Sequence, residues 1–335
     1  MSDGIKYKIG FKSENKIYKN NFISSTLHCL INIDFLTDFI KNEEIEQNKN
    51  PLYDKYKEFL QKLEDLKDNK LPYDIKDFED FLFKKEEFNL KNNQNPKYLL
   101  EYLITELNLF LVSEYKNTLI SDNVYTIIET VKKCPTCDNF VEEEIKNEEK
   151  YLNYDLHQYA LNKNEKYDYD IYDCLRSYVK IEKNETQLYC ENCKKDIDPK
   201  TKILFKKLPK HLIIYVDYGN DINFKLDDFI TFNMELDFSK INEVEENYKN
   251  VNYYLSSLIS VKEIMQKKEY FYSFCIYKEK DTQKYKYWCF NADTVHEVRN
   301  VENKIENKKI DFSDKKERFP FILIYTLLED EKDEE

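Results

Sequence analysis

Apolar residues near the start of the chain recur three or four positions apart, which is the spacing of one helix face. The stretch from Lys16 to Ile40 shows this pattern, and it predicts an opening helix with one buried face. Asn21, Ser24 and Ser25 suit its start, because short polar side chains satisfy free N–H groups there. The apolar positions of this predicted helix are Phe22, Ile23, Leu27, Leu30, Ile31, Leu36 and Phe39.

The same periodicity predicts further helices before residue 116. One runs from Pro51 to Lys67 with proline at its first turn, where a missing N–H costs nothing. A second is centred on Phe78, and a third follows Pro96 with a leucine-rich face. The apolar positions are Leu52, Tyr56, Phe59, Leu60, Leu63, Leu66, Ile75, Phe78, Phe81, Leu82, Leu99, Leu100, Leu103 and Leu107. Residues 1–115 are therefore predicted to form an all-helical lobe.

The pattern changes after residue 115 to short runs rich in β-branched and aromatic residues. Alternation of apolar and polar positions in these runs predicts strands of a sheet that is packed on one side. The runs lie at 123–133, 203–218, 229–240, 253–258, 269–274, 287–295 and 319–327. The last residues, Glu329 to Glu335, are strongly acidic and predict a solvated tail. The fold class is thus expected to be α+β.

Two close cysteine pairs stand in the β-rich part, Cys134-Pro-Thr-Cys137 and Cys190-Glu-Asn-Cys193. Each Cys-x-x-Cys turn places two thiolates at the separation that tetrahedral zinc requires, and two turns complete a closed site. Incidental pairing and a redox dithiol are the alternatives, although neither pair has the βαβ context of a redox motif. We predict one structural zinc ion held by Cys134, Cys137, Cys190 and Cys193.

Composition narrows the classes of function. The chain has 335 residues, which suits one large domain or two ordinary ones. Its net charge of −13 argues against a surface that wraps nucleic acid. We see neither an apolar run of membrane-spanning length nor a secretory signal, and paired Cys-x-x-Cys turns fit a reducing compartment. We therefore expect an intracellular protein, in the nucleus or the cytoplasm, that binds neither membranes nor nucleic acid directly.

The segment KNNFISSTLHCLINIDFL, which begins at Lys19, resembles a known motif. It is similar to the opening box of the ubiquitin-specific proteases, Asn-x-Gly-Asn-Thr-Cys-Tyr-Met-Asn-Ser-x-Leu-Gln-x-Leu. The positions that match in type and spacing are Phe22, Ser25, Leu27 and Leu30. The resemblance puts the family's nucleophilic cysteine at Asn21 and its oxyanion-hole asparagine at Lys16.

Later segments continue the resemblance, which spans about residues 10 to 327. Gln94 matches a glutamine of the family's Gln-Gln-Asp-Ala-x-Glu-Phe-Leu segment, and the family's acidic contact position falls on Asn95. The segment EYFYSF resembles Gly-His-Tyr-x-Ser/Ala-Tyr, which puts the general-base histidine at Tyr270. In YWCFNADTV, Asn291 stands where the family has the acid or amide that orients the histidine.

The resemblance implies a papain-like fold with three parts. Residues 1–115 would form a helical thumb. Residues 116–328 would form zinc-ribbon fingers and an antiparallel β-sheet palm, and residues 329–335 would form the tail. The resemblance also implies that hydrolytic activity is lost. An amide at Asn21 cannot attack a carbonyl, and an ordinary phenol, with a pKa of about 10, is a poor base. We expect a pseudoprotease that is a binding or scaffold subunit of a larger assembly. Inactive members of the family serve in RNA processing, so such a complex is one expected setting.

Two alternatives stay open. A ubiquitin reader would keep the fold and bind ubiquitin without cutting it. We expect weak or absent binding, because bulky Tyr18, Lys19 and Tyr270 stand where the family's smaller residues leave room in the channel. An active hydrolase would need a displaced nucleophile, and Cys29 is expected in the core instead. None of the four histidines occupies the base position; they are His28, His157, His211 and His296. We expect each to be a surface residue or a hydrogen-bonded core residue.

Overall fold

Most of the helices come early in the chain and most of the strands later. The computed structural model of the protein describes residues 7–12, 21–43, 45–46, 49–66, 71–85, 95–139, 141, 145–155, 169–179, 187–217, 230–241, 244, 246–264, 268–279, 282, 284–298 and 319–328. In these residues the helices are α1 (Phe22–Leu30), α2 (Asp34–Asn42), α3 (Pro51–Asp65), α4 (Lys76–Phe83), α5 (Pro96–Tyr115), α6 (Leu119–Val124) and α7 (Ile171–Tyr178). The strands are β1 (Phe11–Lys12), β2 (Tyr73–Asp74), β3 (Thr126–Lys133), β4 (Ile145–Glu149), β5 (Leu152–Asp155), β6 (Tyr169–Asp170), β7 (Leu188–Cys190), β8 (Lys195–Ile197), β9 (Lys200–Lys207), β10 (His211–Asp217), β11 (Ile230–Thr231), β12 (Glu235–Asp237), β13 (Asn252–Ile264), β14 (Lys268–Lys278), β15 (Tyr285–Asn291), β16 (Thr294–Glu297) and β17 (Phe319–Leu327).

The opening helix is interrupted, which the periodicity did not predict. Helix α1 ends at Leu30 and α2 begins at Asp34, so the expected single helix is wrong in the structure. Asn32 closes the break, because its Nδ2 donates to the carbonyl of His28 at 2.6 Å. Thr37 Oγ1 also donates to the carbonyl of Ile31 at 3.1 Å. These bonds satisfy backbone carbonyl groups that have no N–H partner in a following turn, because the helix has ended.

The other predicted helices are present, and two begin at a capping asparagine followed by proline. Asn50 Oδ1 accepts from the N–H groups of Leu52 and Tyr53 at 2.9 and 3.0 Å. Asn95 Oδ1 accepts from the N–H of Lys97 at 2.8 Å. Such caps typically contribute about 1 kcal/mol each. The first 115 residues are not entirely helical, however, because β1 and β2 pair as a short parallel ladder.

A large sheet forms the centre of the β-rich part. Its strands follow the order β16-β15-β14-β13-β17-β10-β5, and β12 pairs with β13 at the side of this path. All of these pairs are antiparallel except β5 with β10 at one edge. The run that was predicted as one strand over 203–218 is broken by Leu208, Pro209 and Lys210 into β9 and β10. Proline ends the ladder there because it has no N–H to donate.

Both faces of this sheet are buried, so the expectation of packing on one side is wrong. One face, which includes Ile213, Ile259 and Ile322, packs in the same core as the helices α1 to α5. The opposite face, which includes Leu212 and Leu323, packs in a second core with the segments around α7 and β12. Continuous apolar runs such as the one in β10 are typical of strands that are covered on both faces.

Two of the smaller sheets carry the Cys-x-x-Cys turns. Strands β4, β3 and β9 form an antiparallel sheet, and β7 and β8 form a hairpin. The buried carboxylate of Glu129 on β3 pairs with the Lys206 ammonium on β9, with 2.7 Å between nitrogen and oxygen. The first Cys-x-x-Cys turn follows β3, and the second begins at Cys190, the last residue of β7. No helix in the described residues is long and apolar enough to cross a membrane.

Two histidines are buried, and neither fits the expected description fully. The His28 ring stacks on Phe11 at 4.0 Å between centroids and lies 4.2 Å from Phe290, and neither ring nitrogen has a hydrogen-bond partner among the described residues. His211 Nδ1 contacts Thr326 Oγ1 at 3.0 Å, while its Nε2 has no partner in the same part of the chain. Burial lowers the pKa of His28 to about 3, and burial together with Lys210 lowers the pKa of His211 to about 3.

These two rings predict a specific dependence of stability on pH. An unfolded histidine, with a pKa of about 6.5, takes up a proton that the folded chain does not, so stability is lost as pH falls from about 6.5 towards about 3. Two such groups give a slope of up to about 2.7 kcal/mol per pH unit. We expect urea-unfolding free energies to fall between pH 7.5 and 5.5, and His28→Leu to remove about half of the slope. His296→Gln, at an exposed position, is the control; an unchanged slope in His28→Leu would contradict the account.

Candidate functional site

Asn21 lies immediately before α1, at the position where the resemblance puts the family's nucleophile. Its backbone is left-handed, with φ 58° and ψ 17°, and its carbonyl accepts from the N–H of Ser25 at 2.9 Å. Asparagine is one of the few residues that enter this region readily. Its side chain makes no capping bond, so the expectation that it satisfies the helix start is wrong. The side chain is therefore turned to another part of the fold.

That partner is Asn291, the last residue of β15. Asn21 Nδ2 donates to Asn291 Oδ1 at 3.4 Å, which is long for an N–H···O bond and marks a weak one. The two residues are 270 positions apart in the chain, and α1 contacts both β14 and β15. The structure thus brings together two of the positions that the resemblance names, and both carry amides.

The turn after Asn291 is fixed by the N-terminal segment. The N–H of Phe11 donates to the carbonyl of Ala292 at 2.7 Å, and Ala292 has a positive φ of 48°. Gly10 lies so close to this turn that a Cβ there would be 2.3 Å from the carbonyl oxygen of Asp293. Only glycine fits without displacing the turn, so Gly10 and Phe11 help to hold Asn291 opposite Asn21.

The remaining predicted site residues are only partly described. Tyr270 lies on β14 opposite Lys262 of β13, and β14 is the neighbour of β15, but its side chain is not among the described ones. Lys16 and Gln94 lie outside the described residues, as do Tyr18 and Lys19. The assignment of the family's base position to Tyr270 and of the oxyanion position to Lys16 stays a prediction.

Three cysteines outside the paired turns are buried in the cores. Cys29 is 0% exposed, which confirms its predicted core position, and Cys275 and Cys289 are at most 2% exposed. Burial, with a contribution from Cys275, raises the pKa of Cys29 well above its ordinary value, and burial also raises the pKa of Cys275. Cys29 and Cys275 are therefore neutral thiols at physiological pH. A neutral, enclosed thiol is a poor nucleophile.

The four cysteines of the two turns converge on one point. All four Sγ atoms lie within 4.8 Å of one another. The Cys134–Cys193 and Cys137–Cys190 pairs have Sγ···Sγ distances of 3.8 and 3.7 Å. A tetrahedron with metal–sulfur bonds of about 2.3 Å has edges of about 3.8 Å. The donor set therefore fits one four-coordinate metal ion and leaves no open position.

Local hydrogen bonds favour the charged form of two of these thiols, Cys134 and Cys137. Desolvation would raise the pKa of Cys134, but the backbone N–H groups of Cys137 and Thr136 outweigh it and lower the pKa to about 6. The side chain of Asn192 is the main cause of a lowered pKa at Cys137. Thiolates are the form that binds soft metal ions. The hydrogen bond with Cys137, together with burial, raises the pKa of Cys193 to about 12, so the thiolate form is favoured at Cys134 and Cys137 and not at Cys193.

Comparison with known protein families identifies the family of this chain. The model of the family described as ubiquitin carboxyl-terminal hydrolase matches residues 15–325. The chain belongs to this family. Its α-helices, its antiparallel sheet and its cysteine cluster form the ubiquitin-specific protease fold that the sequence predicted. No curated protein sequence gives a significant match to the chain.

Solved structures of the SAGA DUB module share the fold. One chain of the Ubp8/Sgf11/Sus1/Sgf73 module bound to monoubiquitin is 19% identical with a TM-score of 0.69, over 98% of this chain and 72% of that chain. A chain of the module bound to ubiquitin aldehyde is 17% identical with a TM-score of 0.66, over 98% and 72%. A chain of the yeast module with an Sgf73 variant is 17% identical with a TM-score of 0.66, over 98% and 70%. At such identities the likeness shows the fold alone.

The cysteine cluster predicts one metal ion per chain. Cys190→Ser replaces a soft thiolate by a hydroxyl, so we expect the ion to be released and protease cleavage near the two turns to increase, with most secondary structure retained. Elemental analysis, limited proteolysis and circular dichroism measure the three effects. Glu191→Ala, in the same turn but not a ligand, is the matched control and should keep the metal. Metal retained by Cys190→Ser would contradict the assignment.

Proposed function

We propose that this chain is a catalytically inactive member of the ubiquitin carboxyl-terminal hydrolase family and a protein-binding or scaffold subunit of a larger assembly. The observation that carries the proposal is the contact of Asn21 with Asn291 at the start of α1. Hydrolysis by this family's chemistry needs a thiolate, a base and donors for the oxyanion. An amide cannot attack a carbonyl, and at this place it is bonded to a second amide.

The other thiols give little support to a displaced nucleophile. Of the cysteines whose side chains the structure describes, Cys29, Cys275 and Cys289 are buried and the other four share the metal cluster. The side chain of Cys174 lies outside the described residues. The described histidines His28 and His211 are enclosed, and His296 is exposed on β16. None of the described thiols and imidazoles forms an accessible nucleophile–base pair.

The cluster is proposed to hold zinc in a structural role. Four thiolates at tetrahedral spacing suit zinc, and a closed site gives the metal no position for a substrate. The ion would join β3 to β7, segments that are more than fifty residues apart, and so stabilise the fingers of the fold. We retain the proposed division into a thumb over 1–115, fingers and palm over 116–328 and a tail over 329–335.

Protein partners are the expected ligands. The solved neighbours are modules of several proteins, and one is bound to monoubiquitin. By analogy with inactive family members, an RNA-processing assembly in an intracellular compartment is the proposed setting. A non-cleaving ubiquitin reader is the second candidate, favoured by the fold shared with that ubiquitin-bound module. Affinity purification from native cells, with identification of co-purifying proteins, separates these settings.

The first prediction is the absence of turnover. Purified protein mixed with a fluorogenic ubiquitin substrate should release no fluorophore above buffer, because Asn21 supplies no nucleophile. Asn21→Cys alone should remain inactive or nearly so, since Tyr270 is not an effective base. Asn21→Cys/Tyr270→His restores a base as well. Any activity that it gains over Asn21→Cys measures the effect of the missing base. Reproducible cleavage by the natural sequence, abolished by replacing one cysteine, would overturn the proposal.

The second prediction concerns ubiquitin binding. We expect weak or absent binding, because Asn95 caps its own helix where the family has an acidic contact. Calorimetric titration of ubiquitin into the protein measures the affinity, and Asn95→Asp is the informative variant. The aspartate keeps the cap and restores the charge, so it should bind more tightly than the natural sequence. A low-micromolar dissociation constant for the natural sequence would favour the reader instead.

A further inference from the structure

The segment 7–12, which we call the strap, crosses the junction between the helices and the large sheet. Three of its residues are at most 3% exposed and lie in the same core as α1 to α5; they are Tyr7, Ile9 and Phe11. The two lysines of the strap, Lys8 and Lys12, are exposed. This alternation is typical of an extended segment with one buried face. The strap is therefore attached to the fold through its apolar side.

One end of the strap is anchored on the helical side. Tyr7 Oη donates to Glu64 Oε2 of α3 at 2.9 Å, and Lys41 Nζ of α2 donates to the same oxygen. Further along the strap, the carbonyl of Gly10 accepts from the N–H of Tyr73 at 2.8 Å. This end is therefore fixed to α2, α3 and β2.

The other end contacts both elements that carry the amide pair. The Phe11 ring stacks on His28 of α1, with 4.0 Å between centroids and 3° between ring planes. His28 lies in turn 4.2 Å from the ring of Phe290, the residue before Asn291. The N–H of Phe11 also donates to the carbonyl of Ala292. Phe11 thus connects α1, β15 and the turn that follows β15.

The amide pair itself is a weaker contact than those of the strap. Asn21 Nδ2 and Asn291 Oδ1 are 3.4 Å apart, close to the limit for a hydrogen bond, whereas the backbone bond from Phe11 is 2.7 Å long. One long hydrogen bond contributes little to stability, while the buried ring of Phe11 removes a large apolar area from water. The separation of Asn21 from Asn291 therefore depends on the strap.

We propose that the strap controls access to the space between α1 and β15. While it is seated, it holds Asn21 against Asn291, and a ligand that needs room between these two residues must lift it. Packed segments of this kind have discrete seated and released states and do not deform continuously. Because α2 and α3 hold Tyr7, they influence the candidate site through the strap. The proposal does not depend on whether the chain hydrolyses ubiquitin.

Gly10→Ala tests the strap by steric displacement. The added Cβ would lie 2.3 Å from the carbonyl oxygen of Asp293, so the strap and the turn must separate. We expect amide hydrogen exchange at 291–297 to become about tenfold faster, because the turn and β16 lose a support. Trp288, the sole tryptophan of the chain, has its ring centroid 4.6 Å from Lys8 Nζ of the strap. Its fluorescence emission should move to longer wavelength as the strap leaves and water reaches the ring.

Matched variants separate the strap from a general loss of stability. Lys12→Ala changes an exposed side chain of the strap and keeps its backbone bonds, so exchange at 291–297 should stay unchanged. Phe11→Leu keeps an apolar side chain but removes the ring that stacks on His28, and it should act like Gly10→Ala. It replaces Gly10→Ala if that variant does not fold. Exchange in the sheet of β4, β3 and β9 is the internal reference and should not change.

Three results would overturn the proposal. The first is an unchanged exchange rate at 291–297 in both Gly10→Ala and Phe11→Leu. The second is an equal increase in Lys12→Ala. The third is an increase of the same size in the sheet of β4, β3 and β9, which would show that the variants lower global stability and do not act on the site.

Discussion

Helix α1 is buried at every residue, and the architecture around it depends on that burial. It contacts α5 on one side and strands β13, β14 and β15 on the other. The fully enclosed segment fixes the helix start between the helical part and the sheet. Helix α1 ends at Leu30, and the turn at Asn32 allows α2 to pack beside α3. The position of Asn21 is therefore a consequence of core packing and not of its own chemistry.

On the proposed function, this separation of scaffold and chemistry explains how the fold is kept while the nucleophile is lost. Backbone in the left-handed region costs energy for most residues and occurs often at functional sites. Asn21 adopts it at low cost, and its amide meets Asn291 across the junction of α1 and β15. Gly10 and Phe11 support the opposite side of the contact. Two of the positions that the resemblance assigns to catalysis are thus in contact, and both carry amides.

Local patterns in the sequence predicted those features that are local in the structure. Helices α3, α4 and α5 follow from apolar periodicity, and the metal cluster follows from two short cysteine spacings. The break at Asn32 was missed because apolar residues continue through it. The second buried face of the sheet was missed at β10, although its unbroken apolar run was a usable signal. The contact of Lys97 with the ring of Tyr215 joins distant segments that no local pattern connects. The pairing of Asn21 with Asn291 was indicated only by the family resemblance, which names both positions.

The most direct test of the central claim is covalent trapping. Ubiquitin with a C-terminal vinyl sulfone forms a thioether only with a reactive cysteine that the ubiquitin tail can reach. The intact mass of the protein after prolonged incubation with this reagent reports any such bond. The account predicts an unchanged mass for the natural sequence, because Asn21 stands at the helix start and Cys29, Cys275 and Cys289 are buried. A stoichiometric adduct that maps to a single cysteine would contradict it.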